Sequence, residues 1–576
     1  TRTSEKSGGM SGSAVSFLCL SALLVVSHAC TNLLVTPGAS TDGSSHIGYA
    51  ADSGSLYGKL EVLPAADHPE GTLRAIYDWD SGAYLGTIPE ANHTYNVVGN
   101  MNEFQLTIGE TTFGGLDFGK QEKAVMDYGS LIWVTLQRAR TAREAITTMD
   151  ELVKAYGYAS EGESFSIADP NEVWVLEMIG KGAGQLGAVW VAQRVPDGHV
   201  ASHANQARIR TIPLNDPDTA QYATDVIQFA RDQKLFNGTD DEFSFSDVFD
   251  PVTAISARVC EARVWSFFRT VTTGMEDYLS YVRGVNLTHR MPFSVPVTEK
   301  LSLNDTMWHM REHNEGSWFD NTQDVGAGPF HSPYRWRPLT WKYQNVSYLN
   351  ERTIATQQTG WHFVSQARSW LPDAIGGIIW FSADDCATSV HVPMYCSITQ
   401  TSPAWAHPPG DNTRNGDMTT FSFDSAFWVY NMVANLAYSR WSDVYPEVAK
   451  AIVEYEGEFF KAAAAADATA EALWAKGDTE GAVTYLTSFS YQAGESIVKS
   501  YLSLWGRLFA KYHDGQITVP SATSPGCGCE VKEVGYEQPW YDRIANETGT
   551  HYQQDQPNAT ETSAASHPVR SKLDLV

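Results

Sequence analysis

Between Cys30 and about Val200, apolar residues recur in short runs bounded by Gly, Asn, Asp and Pro. Runs of this length that are rich in branched and aromatic residues predict β-strands. One segment, Arg138–Tyr156, instead has apolar residues at helical spacing and predicts a helix. Hairpin-like strands mixed with helices indicate an α+β or layered α/β fold. The predicted strands are Thr31–Val35, Val97–Thr107, Leu131–Leu136, Val173–Met178 and Ala188–Val195.

The pattern changes in the second half of the chain. Helices mixed with Pro-rich loops are predicted first, together with buried strands such as Ile375–Phe381. The segment Phe421–Tyr512 has helical spacing and includes an Ala-rich stretch at Lys461–Ala475. From Asp514 to Val576 the composition shifts to Pro, Ser, Thr, Asn and Gln. This shift predicts a polar, flexible tail over residues 514–576.

An apolar segment near the start, Val15–Val26, is too short to span a bilayer. Basic residues precede it, and it ends in Ser27-His28-Ala29, which places small residues one and three positions before Cys30. These features are typical of a secretory signal peptide with its cleavage site. We therefore expect residues 1–29 to be removed, although a buried N-terminal strand is the alternative. No other run is long enough for a membrane helix, so no membrane span is expected after removal.

Composition narrows the possible classes of protein. The 576 residues are 43% hydrophobic and 12% aromatic, enough to build a sizeable core. The formal net charge of −27 argues against nucleic acid as a partner, because phosphates attract Lys and Arg. Together with the signal peptide, Asn-x-Ser/Thr sequons predict a glycoprotein of the secretory pathway, extracellular or lysosomal. The predicted glycosylation sites are Asn92, Asn237, Asn286, Asn304, Asn345, Asn546 and Asn558.

The seven cysteines do not have the spacing of a zinc ribbon. Cys19 would leave with the signal peptide, and Cys260 stands alone. Cys386 and Cys396 flank a short apolar run and are the candidates for a disulfide. Another two cysteines, Cys527 and Cys529, lie in a Gly-rich part of the tail.

Cys30 is the first candidate for chemistry. As the first residue of a processed chain it would carry both a thiol and a free α-amine. An α-amine has a pKa of about 7.7–8.0, which suits a general base near neutral pH. The thiolate it would generate is a strong nucleophile. The alternatives are an ordinary cysteine after a signal peptide and a lipoprotein cysteine, although Ser27 and His28 do not fit the lipoprotein pattern.

The residues around Cys30 favour the catalytic interpretation. The run Cys30-Thr31-Asn32-Leu33-Leu34-Val35, followed by Asp42-Gly43-Ser44, resembles the start of peptidase family C69, the dipeptidase A group. This group is related to secernins and, more distantly, to bile salt hydrolases and penicillin V acylases. The resemblance extends in order from Cys30 to about Tyr512. It is carried further by Met101-Asn102-Glu103, Gly109-Glu110-Thr111-Thr112, Phe165–Asp169, Asn171–Trp174, Trp190–Arg194, Asn205–Ile209, Gly328–Phe330, Ser332–Arg335 and Leu371–Gly377.

The resemblance implies roles for several residues. Asp52 matches the acidic residue after the second strand and would hold the α-amine of Cys30 over its thiol. Asn205 matches the residue that supplies a hydrogen-bond donor to the oxyanion, and Arg263 matches an arginine near the nucleophile. Glu110 and Thr112 match positions that line the substrate pocket, and Glu110 would bind the free amine of a dipeptide. A basic residue of the acylase relatives is replaced here by Tyr49.

Two other motifs indicate different chemistry. The residues His309-Met310-Arg311-Glu312-His313 fit an inverted zinc motif, which would make the chain a metallopeptidase. This stretch falls within a C69-like segment in which no metal is expected. The run Gly182–Gly187 fits a dinucleotide-binding pattern. Another strand follows it, where such a site needs a helix, so a hairpin loop is predicted there.

The sequence thus predicts an α+β fold, which the resemblance specifies as the four-layer αββα sandwich of N-terminal-nucleophile hydrolases with a helical C-terminal part. The hydrolase domain would span residues 30–513. The implied activity is a dipeptidase acting through a thioester on Cys30, with small peptide substrates and no metal or organic cofactor. A homo-oligomer is compatible with the sequence. The alternatives are an acylase on non-peptide amides and a non-catalytic glycoprotein that keeps the fold as a binding module.

Overall fold

A computed structural model describes residues 30–406, 416–524 and 526–554. The predicted signal peptide, with Cys19, lies outside these residues. The sequon at Asn558 and the end of the predicted tail also lie outside them.

The strands of the described residues form two large antiparallel sheets and four two-stranded sheets. In chain order the first strands are β1 (Thr31–Val35), β2 (Ser45–Asp52), β3 (Val62–Leu63), β4 (Ala66–Asp67), β5 (Leu73–Tyr77), β6 (Tyr84–Pro89), β7 (His93–Thr94), β8 (Val97–Val98), β9 (Met101–Asn102), β10 (Thr107–Gly114), β11 (Gly162–Ala168) and β12 (Val173–Gly180). They are followed by β13 (Ala188–Arg194), β14 (His199–His203), β15 (Ala220–Tyr222), β16 (Ser294–Pro296), β17 (Thr340–Tyr343), β18 (Val346–Leu349), β19 (Thr359–Ala367), β20 (Ile378–Ala383), β21 (Val392–Tyr395), β22 (Ile517–Pro520) and β23 (Cys529–Lys532).

The first large sheet has the order β16-β14-β1-β2-β19-β20-β21, so β1, which follows Cys30, is an interior strand next to the central strand β2. The second has the order β15-β13-β12-β11-β10-β9-β8-β3. The two sheets pack on each other, with β10 and β11 against β1 and β2. Between them His203 of β14 contacts Thr111 and Ser166, each at 2.7 Å. Gly109 leaves room for Asn32, since a Cβ there would meet the Asn32 amide oxygen at 2.4 Å.

Helices cover the outer faces of both sheets. In chain order they are α1 (Tyr128–Leu136), α2 (Ala142–Tyr156), α3 (Val226–Asp232), α4 (Phe245–Phe249), α5 (Ala254–Ser256), α6 (Ala262–Val271), α7 (Leu279–Val282), α8 (Leu303–His309), α9 (Asp373–Gly376), α10 (Ala426–Ser439), α11 (Trp441–Trp474), α12 (Thr479–Lys511) and α13 (Gln538–Thr548). Helix α2 packs on β11, β12 and β13. Helices α8, α10, α11 and α12 pack on the other sheet. The fold is therefore α+β, with two sheets between two groups of helices.

Most of the predicted elements are present. The predicted strand Thr31–Val35 has the same bounds as β1, and the helical segment Phe421–Tyr512 contains α10, α11 and α12. The prediction of a strand at Leu131–Leu136 was wrong, because these residues belong to α1. The side chain of Asp127 caps this helix by accepting a hydrogen bond from the Ser130 N–H. Because α1 is buried over most of its surface, its run of apolar residues has no polar face that would reveal a helix.

The hairpin predicted at the Gly-rich run is confirmed. Strands β12 and β13 pair in antiparallel fashion, with Gly180 opposite Ala188, and Gly182–Gly187 form the connecting loop. A helix does not follow, so the phosphate-binding geometry of a dinucleotide site is not formed there.

The proposed disulfide between Cys386 and Cys396 was wrong, because both cysteines are free and buried. Strands β20 and β21 form a hairpin, and Cys396 lies beside Gly377 at the start of β20, whereas Cys386 follows its end. The six residues of β20 separate them by roughly 20 Å, at about 3.3 Å per residue. A disulfide requires Cα atoms within about 7 Å. A disulfide instead joins Cys527 to Cys529.

The segment after Asp514 contains regular structure in its described part. Strands β22 and β23 form a hairpin that packs against α12, and α13 follows. The ring of Tyr536 contacts Phe330, so this segment returns to the surface of the main domain. None of the helices in the described ranges has both the length and the apolar character needed to cross a bilayer.

Candidate active site

Cys30 lies immediately before β1 and is almost fully buried. Its thiol is 3.5 Å from Oε1 of Glu110 and accepts a contact from the Tyr49 hydroxyl at 3.8 Å. The backbone N–H of Asp52 also hydrogen-bonds to the sulfur. Three strands therefore meet at this thiol, because β1 and β2 pair directly and β10 packs across them.

Burial raises the pKa of the Cys30 thiol well above its usual value. The carboxylates of Glu110 and Asp52 raise it further, while hydrogen bonds from the Asp52 N–H and from Tyr49 act in the opposite direction. In this form of the chain, with Ala29 joined to Cys30, the sulfur is therefore a neutral thiol. A nucleophilic role requires a base or a positive charge in addition to the described side chains.

Asp52 ends β2 and its carboxylate is fully buried. One oxygen pairs with Nη2 of Arg352 at 3.0 Å, and the other accepts a hydrogen bond from the Thr359 hydroxyl at 2.7 Å. Burial raises the pKa of Asp52 to about 6, and Arg352, Thr359 and Arg263 limit the rise. The structure thus places Asp52 beside Cys30, with its carboxylate held by Arg352 and Thr359.

Arg263 connects Cys30 to Asn205. Its Nη1 donates to the Cys30 carbonyl oxygen and to the Thr31 hydroxyl, both at 2.8 Å. Its Nη2 donates to Asn205 Oδ1 at 3.0 Å, and its Nε donates to the carbonyl of Val259 at 2.8 Å. Val259 lies in a π-helical segment, Ala257–Glu261, that leads directly into α6, and such segments are frequent at functional sites. Burial is the largest effect on the Arg263 guanidinium and lowers its pKa to about 10.

Asn205 follows β14 with a positive φ of 60°, a conformation that Asn tolerates better than most residues. Its Nδ2 donates to the carbonyl of Thr112 at 2.6 Å, while Oδ1 accepts from Arg263. The amide is therefore oriented from both ends. Thr112 in turn donates its hydroxyl to Oε1 of Glu163 at 2.8 Å. This chain of contacts joins the predicted oxyanion residue to the predicted pocket residues.

Glu110 and Glu163 form a buried acidic pair beside Cys30. They lie on the same face of neighbouring strands, because Thr112 pairs with Glu163 two positions after Glu110. Burial and the charge of Glu110 raise the pKa of Glu163 well above its usual value. Tyr49 donates to Oε1 of Glu110. The Oε2 atoms of both residues receive no hydrogen bond from the residues that the structure describes.

The two histidines of the zinc-like motif have other partners. Helix α8 ends at His309, so His309 and His313 do not share a helical face. The ring nitrogens of His313 contact Glu315 at 2.9 Å and the Tyr334 hydroxyl at 2.8 Å. His309 lies 3.3 Å from the Thr270 hydroxyl. No group of three metal-ligating side chains with suitable geometry occurs among the described residues.

Sequence reasoning missed three residues of this site: Tyr49, Glu163 and Arg352. The sequence shows only that Tyr49 replaces a basic residue of the acylase relatives and does not indicate a role in the site. In the structure Tyr49 pairs with Asn32 in the β1–β2 hairpin, and its hydroxyl contacts Glu110 of β10. Glu163 could have been found from the register of the β10–β11 hairpin, since it pairs with the predicted residue Thr112. Arg352 lies 300 positions from its partner Asp52, and no local pattern predicts such a contact.

The model of peptidase family C69 matches residues 29–454. The chain belongs to this family. The matched segment begins one position before Cys30 and contains Asp52, Glu110, Asn205 and Arg263. The helix α12 and the segment after it lie outside the match.

Several curated proteins are similar to this chain over most of their length. A probable dipeptidase of Latilactobacillus sakei is 24% identical over 434 residues, which are 72% of this chain and 82% of that protein. A probable dipeptidase of Salmonella dublin is 24% identical over 404 residues, 67% of this chain and 83% of that protein. Dipeptidase A of Lactobacillus helveticus is 22% identical over 428 residues, 71% of this chain and 81% of that protein.

Proposed function

We propose that this C69 chain is a dipeptidase of the N-terminal-nucleophile type, with Cys30 as nucleophile once residues 1–29 are removed. The observation that carries this proposal is the convergence of Asp52, Glu110 and Arg263 on Cys30 from separate parts of the chain. The names of the similar proteins support a dipeptide substrate. The two-sheet core between helices is compatible with the αββα sandwich of N-terminal-nucleophile hydrolases.

The α-amine of processed Cys30 supplies the base that the neutral thiol requires. The amine takes the Sγ proton, and the sulfur attacks the peptide carbonyl carbon, forming a C–S bond and an oxyanion. The resulting ammonium returns the proton to the leaving nitrogen as the C–N bond breaks. Water then attacks the thioester with the amine again as base, which releases the first amino acid and restores the thiol. The two steps together consume one water molecule per peptide bond.

Asn205 and Arg263 would stabilise the oxyanion. Arg263 holds the amide by its oxygen, so that the Nδ2 donor has a fixed direction. In the substrate complex Nδ2 would exchange its hydrogen bond to Thr112 for one to the developing oxyanion. One such donor contributes about 2.7–4 kcal/mol to lowering the barrier.

The acidic pair would bind the free α-ammonium of the substrate. Buried carboxyl oxygens without donors favour a cation that brings its own hydrogens. Glu110 is also the acceptor nearest the Cys30 sulfur, so a bound ammonium would lie close to the scissile bond. This arrangement favours a peptide with a free amine over an N-acyl amide, and it argues against the acylase alternative.

Processing in the secretory pathway would produce the active form. This part of the proposal rests on the signal-like residues 1–29, on the disulfide Cys527–Cys529 and on the sequons. The sequon asparagines in the described ranges are exposed: Asn92, Asn237, Asn286, Asn304, Asn345 and Asn546.

The deciding experiment compares three proteins whose N-termini are confirmed by mass spectrometry. The first begins at Cys30, and the second carries a single uncleavable residue before Cys30. The third begins at position 30 and has the substitution Cys30→Ala. We expect dipeptide hydrolysis only by the first, because an amide nitrogen has no basic lone pair. Activity of the extended protein at the same rate would exclude the α-amine as base. Full activity of Cys30→Ala would exclude the nucleophile, and Cys30→Ser is expected to keep only a trace.

A further inference from the structure

Groups of opposite charge lie near the Cys30 sulfur. Glu110 is the nearest acidic side chain, and Glu163 lies beside it. Three arginines act electrostatically on the carboxylate of Asp52 or on one another: Arg263, Arg352 and Arg337. This cationic cluster of Asp52 and the three arginines has three guanidinium groups and one carboxylate among its members.

Arg337 is joined to Asp52 through two threonines. Its Nη2 donates to the Thr356 hydroxyl at 3.3 Å. The carbonyl of Thr356 accepts from the Thr359 hydroxyl at 3.0 Å, and the same hydroxyl donates to Asp52 at 2.7 Å. A chain of hydrogen bonds therefore connects Arg337 to Asp52, the residue beside Cys30.

The three arginines differ in what they bind. Arg352 pairs with Asp52 at 3.0 Å, and Arg263 donates from Nε, Nη1 and Nη2 to acceptors of the protein. Both are fully buried, whereas a substantial part of Arg337 remains exposed to solvent. Within the described ranges, no carboxylate lies within ion-pair distance of Arg337. Partial burial and repulsion from Arg352 lower the pKa of Arg337 to about 10, so an arriving anion would relieve an unfavourable charge.

We infer that Arg337 binds the free α-carboxylate of the substrate on the leaving-group side of the scissile bond. This inference rests on the proposed function and adds a binding residue for the C-terminal end of the substrate. A guanidinium presents donors that match a carboxylate in a bidentate geometry. Glu110 and Arg337 would then read the two ends of one zwitterionic dipeptide.

The placement also selects the length of the substrate. Each extended residue adds about 3.3–3.6 Å, so one further residue moves the carboxylate away from a guanidinium that is held through Thr356 and Thr359. A tripeptide or a peptide amide would leave Arg337 without its anion. The specificity for dipeptides would thus come from charge at both ends rather than from the side chains.

The test compares a dipeptide with its C-terminal amide, using protein that begins at Cys30. Arg337→Gln is expected to raise KM for the dipeptide on the order of 30-fold or more and to leave hydrolysis of the amide unchanged. Arg337→Lys should retain part of the preference for the dipeptide over its amide, because lysine keeps the positive charge but lacks the paired donors of a guanidinium. Arg210→Gln is the matched control, since Arg210 is an exposed arginine paired with Asp247.

Binding to the Cys30→Ala protein separates this inference from the catalytic proposal. Calorimetry should show tighter binding of the dipeptide than of its amide, and Arg337→Gln in the same background should remove the difference. A preference for the carboxylate that survives Arg337→Gln would overturn the inference while leaving Cys30 as nucleophile. Equal losses for the dipeptide and the amide would assign Arg337 a structural role only, and absence of dipeptide binding to any form would overturn both proposals.

Discussion

Nη1 of Arg263 donates a hydrogen bond to the carbonyl oxygen of Cys30 at 2.8 Å, across 233 positions of the chain. The contact fixes the main chain of Cys30, while the other nitrogens of Arg263 hold Asn205 and the π-helical segment before α6. A single buried guanidinium therefore positions both the proposed nucleophile and the donor proposed for the oxyanion. A substitution at this position should disturb both together.

Arg263→Lys is expected to lower kcat/KM on the order of 100-fold, because an ammonium cannot reproduce the planar set of donors. The effect should fall mainly on kcat, since the residue positions reacting groups. The matched control is Arg269→Lys on the same helix, where the arginine pairs with Glu312 away from Cys30. Thermal unfolding of both variants would separate a change in the site from a general loss of stability. Wild-type kcat in Arg263→Lys would contradict the role of this contact.

The elements and motif residues around Cys30 could be predicted from the sequence, whereas most of the long-range contacts of this site could not. A short run ending in three apolar residues predicts β1, and the resemblance to C69 assigns Asp52, Asn205 and Glu110 to one site. The pattern of α1 predicts a strand because burial on most sides removes the polar face that would indicate a helix. The ion pair of Arg352 with Asp52 depends on how β19 and its preceding loop pack beside β2, and that packing is not encoded in either segment alone.

The acidic pair should control recognition of the substrate amine. Glu110→Gln is expected to raise KM for free dipeptides at least 10-fold and to reduce discrimination against N-acetylated dipeptides, because the amide carries no negative charge. Glu163→Gln should act in the same direction, since Glu163 lies beside Glu110 and the Glu110 charge contributes to its raised pKa. Steady-state kinetics with both substrates measures the effect. A loss of kcat alone in Glu110→Gln would instead make Glu110 the base for the thiol.

Protonation of Asp52 should reduce activity at low pH. Burial raises its pKa to about 6, so acidification protonates it and removes its ion pair with Arg352. We expect kcat/KM to decline first as the α-amine of Cys30, the proposed base, becomes protonated below about 7.7–8.0, and to fall further below about 6 as Asp52 becomes protonated. The termini of a dipeptide do not titrate near 6. In Asp52→Asn the activity should be at least 10-fold lower, and only the step that belongs to the amine should remain. An unchanged lower step in the variant would assign that step to another group.

Metal chelators should leave activity unchanged. The ring nitrogens of His313 are engaged by Glu315 and Tyr334, and His309 lies on a different element. Activity would be measured after dialysis against a strong chelator and after addition of zinc. His309→Ala provides a second measurement and should keep wild-type kcat/KM. Inactivation by the chelator with recovery in zinc would replace the thiol mechanism with a metallopeptidase.

Alkylation should report the protonation state of Cys30 directly. In the chain with Ala29 attached, burial and the nearby carboxylates keep the pKa of the thiol well above its usual value. A free α-ammonium places a positive charge beside the sulfur and stabilises the thiolate, which is the species that reacts. Protein beginning at Cys30 should therefore react with iodoacetamide about 10-fold faster or more than protein carrying one extra residue. Peptide mapping distinguishes Cys30 from the buried thiols of Cys260, Cys386 and Cys396, and Cys30→Ala gives the background. Equal rates for the two N-termini would mean that the amine does not act on the thiol, even if the protein hydrolyses dipeptides.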